Sequence, residues 1–328
     1  MKAVIPVAGF GTRLRPHTYS KPKPLINVAG KPFLGYVLER LAALNPEEYI
    51  FIVGYLGEQI QHYVDTTYRL PARYVEQKEL LGQAHALWLA RDHIDGPIVI
   101  LFADTLFEAD LRDLDQMDAD GVAFVKEVED PRRFGVVELD ARGYVTRFVE
   151  KPTSMENRLA VIGMYYIRNG PLLVKACEEL MARGIRTRGE YFLTDALNVF
   201  LEYGQRLRVR EVNVWVDCGT PEAVLETNRY LLAHGHDNSR EAQREGVVIL
   251  PPVFISPSAH VRHAVIGPYA TIADGCFIEN AIIRDSIVDS GARIVNAILE
   301  GSLIGRDAYV GGRFRRFNVG DSSSIDFT

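Results

Sequence analysis

Residues 8–16 read AGFGTRLRP and directly follow a Val- and Ile-rich run at residues 2–7. Such a run is typical of a β-strand, so the two glycines are expected in the turn after a first strand. Gly9 and Gly11 carry no Cβ atom, which lets their backbone N–H groups approach phosphate oxygens closely. Arg13, and Lys23 in the run SKPKPL, would add the positive charge that a triphosphate needs. The stretch therefore predicts a nucleotide-binding turn in an α/β fold.

Two better-known phosphate loops do not fit this stretch. A dinucleotide-binding loop would need a third glycine where Leu14 stands. A P-loop would need Gly-Lys followed by Ser or Thr, and the stretch has no such sequence. A Gly-x-Gly pair alone would be weak evidence, because most such pairs are ordinary turns. Here it is joined by Arg13, Arg15, Pro16 and the Lys-Pro-Lys-Pro run, and this combination is specific.

Up to about residue 235, β-rich runs alternate with helical ones, which predicts an α/β sheet covered by helices. Apolar residues recur at helical spacing after Pro32 and after Gly82, and a further helix is expected to begin near Thr220. The predicted strands are residues 2–8, 49–55, 72–77, 97–103, 122–128, 136–139, 161–167 and 209–216.

From about residue 247 the helical periodicity disappears and aliphatic residues recur every five or six positions. Turn-forming residues fill the gaps, as expected when each hexapeptide is one flat face of a β-solenoid. The aliphatic positions are Ile255, Val261, Ile266, Ile272, Ile278, Ile283, Ile287, Ile294, Leu299, Ile304 and Val310. At three faces per coil they would form about three to four coils. We therefore predict an α/β domain over residues 1–235, a polar linker over 236–246 and a short parallel β-helix over 247–328.

Composition and charge limit the partners of the chain. Lys and Arg total 37 against 43 Asp and Glu, a net charge of -6, so no overall basic field is present to hold nucleic acid. Three widely spaced cysteines form neither a disulfide framework nor a CxxC metal site, which favours a cytoplasmic location. The start of the chain is interpreted as a first strand rather than a signal peptide, and no stretch approaches the ~18 apolar residues of a membrane span.

The glycine-rich stretch and the run after it resemble the signature of the sugar-1-phosphate nucleotidyltransferases, also called NDP-sugar pyrophosphorylases. That signature, G-x-G-T-R-L-x-P-x-T followed by P-K-P-L, stands here over residues 9–18 and 22–25. The resemblance covers essentially the whole chain and implies a Rossmann-like α/β domain with a mixed sheet, followed by a short left-handed parallel β-helix of hexapeptide repeats. Ala8 replaces an additional glycine of many members, which leaves the backbone donors in place.

The resemblance also implies roles for individual residues. The implied catalytic residues are Arg13, Lys23, Asp104 and Lys151. The implied nucleotide-binding residues are Ala8, Gly9, Gly11, Thr12, Gln77 and Gly82. Gln77 would read the base, since its amide offers both a donor and an acceptor. The implied sugar-phosphate-binding residues are Gly135, Glu150, Lys151 and Gly163. Asp104 and Asp217 would bind Mg²⁺, which typically takes one or two carboxylates together with phosphates.

The implied reaction joins a nucleoside triphosphate and a sugar 1-phosphate into an NDP-sugar and releases pyrophosphate. The resemblance and Gln77 favour dTTP with glucose 1-phosphate; UTP with glucose 1-phosphate and GTP with mannose 1-phosphate remain open. A non-catalytic regulatory subunit that binds NDP-sugars also remains open, although the residues whose loss would favour it are all present. A scaffold or acyltransferase built on the β-helix would leave the first domain unexplained. A homo-oligomer is expected, because the end or face of a β-helix commonly needs covering.

Three further features have less specific interpretations. Glu190 and Asp195, in the GEYFLTD segment, are expected to support the start of a helix or to lie behind the site. His260 and His263 are expected on the surface of a coil rather than in a second active site. The basic and aromatic stretch of residues 312–317 is expected to pack on the end of the solenoid or on a neighbouring subunit.

Overall fold

The computed structural model describes residues 1–313, 319 and 324. The described chain divides into two compact units. The first consists of Met1–Ile26 and Lys31–Thr227, and the second consists of Asn27–Gly30 and the chain from Asn228 onward. The predicted domain limits at residues 235 and 247 stay a prediction. The interpretation of the basic and aromatic tail falls largely on residues 314–317, which lie outside the described residues.

The elements up to residue 233 alternate as the sequence predicts. The strands are β1 Lys2–Pro6, β2 Asn27–Val28, β3 Lys31–Pro32, β4 Tyr49–Val53, β5 Ala72–Glu76, β6 Ile98–Leu101, β7 Thr105–Glu108, β8 Gly121–Glu127, β9 Gly135–Leu139, β10 Val145–Glu150, β11 Leu159–Ile167, β12 Leu207–Glu211 and β13 Val214–Asp217. The helices are α1 Phe33–Ala42, α2 Gly57–Thr67, α3 Gln83–Leu89, α4 Gly170–Ala182, α5 Leu193–Glu202 and α6 Pro221–Ala233. Within the part of the chain that the structure describes, no helix has the length and apolar character needed to cross a bilayer.

One mixed sheet runs through the first unit in the order β10-β9-β11-β6-β1-β4-β5, and β8 pairs with both β11 and β12. Strands β6, β1, β4 and β5 are parallel neighbours, whereas β11 lies antiparallel to β6. Every residue of β6 is buried, as expected of a parallel strand covered on both faces. The core under α3, α4 and α5 includes Leu87, Leu173 and Leu197. These observations confirm the predicted Rossmann-like α/β fold.

The single strand predicted over residues 209–216 is two strands in different sheets. β12 pairs with β8 in parallel, and β13 pairs with β7 in antiparallel fashion. The chain leaves the large sheet at Asn213, whose carbonyl accepts a hydrogen bond of 2.7 Å from Lys126 Nζ. The prediction was wrong here because strand propensity does not reveal which partner a residue pairs with. The break brings Asp217 opposite Thr105, directly after Asp104.

The second unit is built from short parallel strands. They are β14 Val247–Ile249, β15 Val253–Ile255, β16 His260–Ile266, β17 Ala270–Ile272, β18 Phe277–Arg284, β19 Ile287–Val288, β20 Arg293–Val295, β21 Ile298–Glu300, β22 Leu303–Ile304 and β23 Tyr309–Gly311. They stack as β14-β16-β18-β20-β23 and as β15-β17-β19-β22, with β21 beside β18. The stacking of parallel strands confirms the predicted β-helix.

The pairing register gives the length of each coil. Val247 pairs with Ala264, 17 positions later, whereas Ile282 pairs with Ile298, 16 positions later. The coils are thus one or two residues shorter than three full hexapeptides. Residues with left-handed backbone mark the corners between the faces, and equivalent corners of successive coils stack in three columns. The columns are His263, Asn280 and Asn296; then Tyr269, Asp285 and Gly301; and then Gly275, Gly291 and Asp307. Three corners per coil separate three faces, the number that the sequence predicts.

The segment predicted as a linker, residues 236–246, is hydrogen-bonded to β15. The side chain of Asn238 donates to the carbonyl of Ile255 and accepts from its N–H, both at 2.9 Å. Asp237 accepts a hydrogen bond of 2.9 Å from the N–H of Val253. The first residues of this segment are therefore held on the second unit.

Candidate active site

A cavity of about 410 Å³, here called the first cavity, opens where the parallel strands β1 and β6 end. Open α/β sheets bind ligands at this edge. The predicted site residues that line it are Ala8, Gly9, Gly11, Thr12, Arg13, Lys23, Gln77, Gly82 and Asp104. Gln83, Phe102, Glu190 and Gly219 line it as well. The structure thus brings together the glycine turn, the cations and one of the two carboxylates expected to bind metal.

The turn after β1 depends on its two glycines in different ways. Gly11 has left-handed backbone, with φ of 61°, and a Cβ atom there would lie 2.9 Å from Lys23 Cβ. The hydroxyl of Thr18 donates a hydrogen bond of 2.8 Å to the Gly11 carbonyl and holds the turn closed. Apart from the two residues next to Gly9 in the sequence, no described residue has an atom within 4 Å of a Cβ atom built on Gly9. Gly9 therefore leaves open space that a ligand can approach.

Lys23 and Asp104 form an ion pair in the first cavity, with 2.5 Å between Lys23 Nζ and Asp104 Oδ2. Burial would raise the pKa of the Asp104 carboxyl, but the charges of Lys23 and Arg13 outweigh burial and hold that pKa below its ordinary value. Asp104 is therefore an anion at neutral pH. The loop between β6 and β7 presents it at the end of a buried strand.

Asp217 lies close to this pair because β13 runs antiparallel to β7. The N–H of Cys218 donates a hydrogen bond of 3.1 Å to the carbonyl of Asp104. A Cβ atom on Gly219 would lie 3.1 Å from both Asp217 Oδ2 and Arg13 Nη2, so the carboxylate and the guanidinium border the same glycine. Burial, followed by the negative charge of Asp104, raises the pKa of Asp217.

The two aspartates fit a divalent cation. A cation bound between Asp104 and Asp217 would relieve the repulsion that raises the pKa of Asp217. Within residues 1–313 and the two described tail positions, no group of three or more His, Cys, Asp or Glu is arranged to hold a metal. A pair of carboxylates that leaves room for phosphate oxygens and water is the donor set that Mg²⁺ typically uses.

Gln77 and Gly82 also line the first cavity. Gly82 has φ of 114° and ψ of 179°, and a Cβ atom there would lie 2.4 Å from the backbone oxygen of Tyr191. Only glycine fits this position. The Gln77 side chain is 5% exposed, and its Nε2 atom lies 3.1 Å from the Gly82 carbonyl oxygen and 3.1 Å from His85 Nδ1.

The four residues expected to bind the sugar phosphate lie in neighbouring strands of the same sheet or, for Lys151, directly after one of them. A Cβ atom on Gly135 would lie 3.0 Å from Glu150 Oε2, which accepts a hydrogen bond of 3.0 Å from Thr194 Oγ1. Lys151 Nζ lies 3.6 Å from Glu150 Oε1 and 4.4 Å from the centre of the Phe192 ring. Burial raises the pKa of Glu150, although Thr194 and Lys151 oppose this shift.

Phe102 connects this group to the first cavity. It lines the first cavity, and its ring fills the space beside Gly163, where a Cβ atom would lie 2.6 Å from Phe102 Cδ2. The N–H of Phe102 also donates a hydrogen bond of 3.0 Å to the Gly163 carbonyl. Gly163 has φ of 83°, so its backbone also favours glycine.

Asp217 lines a second cavity, of about 310 Å³. Arg133, Phe134, Trp215 and Glu222 are among the residues that line it. The rings of Phe134 and Trp215 meet edge to face at 4.9 Å. The buried Trp215 Nε1 has no hydrogen-bond partner among the described residues. An indole N–H in this state can donate to an oxygen of a ligand.

The sequence did not indicate every side chain of the site. It did not single out His85, Thr194 or Phe192, because their roles depend on contacts between distant segments. Glu190 lines the first cavity, and Asp195 lies in the first turn of α5 with a buried Oδ2 that finds no partner in the described chain.

The two histidines of the β-helix that the sequence analysis singled out, His260 and His263, are exposed. This exposure agrees with the prediction of surface positions.

Comparison with known proteins gives a consistent result. A family model described as nucleotidyl transferase matches residues 2–234. The chain is 35% identical over 230 residues to UTP–glucose-1-phosphate uridylyltransferase AglF of Haloferax volcanii, which covers 68% of this chain and 93% of the relative. It is 30% identical over 342 residues to glucose-1-phosphate thymidylyltransferase of Streptomyces griseus, with 94% of this chain and 93% of the relative covered.

The fold also matches a solved structure, that of a UDP-glucose pyrophosphorylase complexed with UDP-glucose. The TM-score is 0.61 at 24% sequence identity, and the match covers 71% of this chain and 98% of that chain. At this identity the likeness is one of fold.

Proposed function

This chain belongs to the nucleotidyl transferase family, and we propose that it transfers a nucleotidyl group from dTTP or UTP to glucose 1-phosphate. Two relatives whose names contain glucose-1-phosphate support the sugar, and their names divide between uridylyl and thymidylyl transfer. The observation that carries the proposal is the ion pair of Lys23 and Asp104 beside the open glycine turn. It provides cations and a carboxylate at the place where a triphosphate would lie.

In the proposed reaction, a phosphate oxygen of glucose 1-phosphate attacks the α-phosphorus of the nucleotide. A new P–O bond forms, the bond between the α-phosphorus and the bridging oxygen of the β-phosphate breaks, and pyrophosphate leaves with that electron pair. The protein must hold the two anions in line and offset the charge that develops. The backbone at Gly9 and Gly11 would bind phosphate oxygens, and Arg13 and Lys23 would stabilise the transition state.

We further propose that Asp104 and Asp217 hold Mg²⁺. When bound, the ion would neutralise phosphate charge and help to orient the triphosphate. Lys23, which now pairs with Asp104, would then be available to contact phosphate oxygens.

Lys151, Glu150, Gly135 and Gly163 are the proposed sugar-phosphate subsite. Lys151 would bind the phosphate, and the Glu150 carboxylate would accept hydrogen bonds from sugar hydroxyls. The contact between Gly163 and Phe102 supports this proposal, since it joins the subsite to the first cavity.

Pyrophosphate release tests the proposed function directly. The full chain is incubated with Mg²⁺ and each of dTTP, UTP, GTP, ATP and CTP against glucose, mannose, galactose and N-acetylglucosamine 1-phosphates. We expect strong release with glucose 1-phosphate and dTTP or UTP. Release only from GTP and mannose 1-phosphate would make the chain a guanylyltransferase. If NDP-sugars bind but no pair releases pyrophosphate, the chain would be a regulatory subunit.

We also propose that the chain forms a homo-oligomer through its β-helix. Val248, Val265, Ile282 and Ile298 are register partners on successive coils and form an outward apolar ladder. Ile298 is 75% exposed. The neighbouring Arg284 and Glu300 pair with each other at 2.6 Å, so a second copy can cover the ladder without burying an unpaired charge.

A cytoplasmic location is proposed as well. The three cysteines, Cys177, Cys218 and Cys276, are buried free thiols, as is usual in a reducing compartment.

A further inference from the structure

The hydrogen bonds of Gln77 determine which end of its amide faces the ligand. Nε2 lies 3.1 Å from the Gly82 carbonyl oxygen. A carbonyl can only accept a hydrogen bond, so the group beside it must be the NH₂ end of the amide. Gln77 is 5% exposed and cannot exchange these contacts for water while it stays in place. The orientation of the amide therefore follows from chemistry.

His85 takes the second N–H of the same amide. Its Nδ1 atom lies 3.1 Å from Gln77 Nε2, and this contact requires a lone pair on Nδ1. The proton of the neutral ring is then on Nε2. Burial lowers the pKa of His85, although the nearby Glu79 opposes the shift, and the neutral form is favoured at pH 7. The Trp88 ring stacks on the imidazole, with centroids 6.2 Å apart.

The Oε1 atom of Gln77 is available to accept a hydrogen bond from a ligand. Within the described chain no residue donates a hydrogen bond to Gln77 Oε1, and Gln77 lines the first cavity. Because both protons on Nε2 are engaged, Gln77 can offer the cavity an acceptor and no donor. This differs from the expectation from sequence that its amide offers both.

Gln83 supplies the opposite polarity. Its Oε1 atom accepts a hydrogen bond of 3.3 Å from the N–H of Leu193, which leaves its NH₂ group as the free end. Gln83 also lines the first cavity. The two amides thus present one acceptor and one donor to the same space.

We propose that His85 is a positioning residue that fixes Gln77 as an acceptor, so that the site selects bases with a ring N–H next to a carbonyl. Uracil, thymine and guanine have this lactam edge. Cytosine and adenine have a ring nitrogen that accepts a hydrogen bond next to an amino group that donates one. The ring nitrogen would face the Gln77 oxygen, and the amino group would face the Gln83 NH₂ group, so neither pair could form a hydrogen bond. The inference rests on the proposed function in that a nucleoside triphosphate occupies the first cavity.

Nucleotide binding tests the inference without turnover. Calorimetric titration of the full chain with Mg²⁺, in the absence of sugar phosphate, compares nucleotides of equal size: UTP with CTP, and GTP with ATP. A mismatch at one base edge costs about 1–3 kcal/mol, so we expect UTP to bind about 5- to 150-fold more tightly than CTP. Equal affinity for UTP and CTP in the wild-type chain would overturn the inference, and this comparison needs no variant.

Substitutions at His85 test its role. His85→Phe removes the acceptor, frees the Gln77 amide to rotate, and should reduce the UTP preference to within about threefold. His85→Asn keeps an acceptor at the position of Nδ1 and should retain the preference. His93→Phe, at a half-buried histidine of the 3₁₀-helix Arg91–His93, is the matched control and should behave as wild type. A full preference in a folded His85→Phe chain would show that His85 does not position Gln77.

Pyrophosphate release separates this inference from the proposed function. Release from UTP or dTTP with glucose 1-phosphate, together with equal affinity for UTP and CTP, would overturn the inference about His85 and Gln77 and leave the catalytic proposal in place. Selective binding of UTP without pyrophosphate release from any pair would remove the catalytic proposal and retain the inference.

Discussion

Lys23 Nζ and Asp104 Oδ2 lie 2.5 Å apart although 81 positions separate the two residues in the chain. Lys23 follows the glycine turn, and Asp104 follows β6, which pairs with β1 in parallel. The pairing of these strands brings both loops to one edge of the sheet. Asp217 arrives there by a different route, through the pairing of β13 with β7. The pKa of Asp104 is lowered and that of Asp217 is raised, so the two carboxylates differ in their affinity for protons.

Asp104→Asn should reduce turnover by about 100-fold or more, because it removes a charge that would hold the metal without changing the size of the side chain. Pyrophosphate release under saturating substrate measures the effect, and thermal unfolding shows that the fold is retained. Asp110→Asn is the matched control, since Asp110 is an exposed carboxylate paired with Arg112. Near-normal turnover in Asp104→Asn would remove Asp104 from the site.

Gly82→Ala should destabilise the first unit by about 3 kcal/mol, because the backbone conformation is one that only glycine adopts readily and because the new Cβ would meet Tyr191. Gly184→Ala is the control: Gly184 also has positive φ, of 66°, but no atom of the described residues lies within 4 Å of its Cβ position. Gly184→Ala should lower the free energy of unfolding by about 1 kcal/mol. Urea unfolding measures the free energy of unfolding of both variants. Equal losses of stability would show that the contact with Tyr191 does not destabilise the Gly82→Ala chain.

The elements that the sequence predicts best are those whose signal is local. The Val- and Ile-rich runs predict β1 and β6, and Thr220 with Pro221 predicts the start of α6, where Thr220 Oγ1 accepts from Ala223 N–H at 3.3 Å. Aliphatic spacing likewise predicts the β-helix. The spacing of five or six positions already allows coils shorter than three full hexapeptides, and the strand register gives the length of each coil.

Side-chain partnerships within the site were not predictable in the same way. The hydrogen bond between Thr194 and Glu150 joins residues 44 positions apart, and nothing in either segment indicates the other. Gln77 and His85 are only 8 positions apart, yet their contact depends on the turn at Gly82, which packs closely against the backbone of Tyr191. Tertiary contacts of this kind decide which atom of a side chain faces a ligand.

The preference for UTP over CTP should depend on pH through His85. Because the pKa of His85 lies below its ordinary value of 6.5, the preference should be constant from about pH 7 to 8. Below the lowered pKa, Nδ1 gains a proton and faces the NH₂ group of Gln77 as a second donor, so the preference should fall. The phosphates titrate alike in both nucleotides and cancel in the ratio of affinities. A constant ratio in His85→Asn is the control.

His85 also makes the stability of the fold depend on pH. Between the lowered pKa of His85 and 6.5, the unfolded chain binds more protons than the folded one, so the contribution of His85 to stability falls as the pH is lowered. Glu79 acts in the opposite direction, since its charge favours the imidazolium. Urea unfolding of the wild-type and His85→Asn chains across this range would show a steeper loss for wild type. Parallel profiles would contradict the lowered pKa.

Ile298→Lys should weaken self-association of the chain. Ile298 is the most exposed member of the outward ladder, and full burial of an isoleucine side chain in an interface stabilises it by about 1.5–3 kcal/mol. A lysine at the same position would place a charge against the apolar ladder of the second copy. Tyr309→Lys is the control, because Tyr309 is 67% exposed in another column of β-helix side chains, in register with Arg293. Sedimentation velocity of the three chains at equal concentration should show a smaller species for Ile298→Lys alone. A wild-type chain that sediments as a monomer would contradict the homo-oligomer, and an unchanged oligomer in Ile298→Lys would mean that copies associate through a different surface.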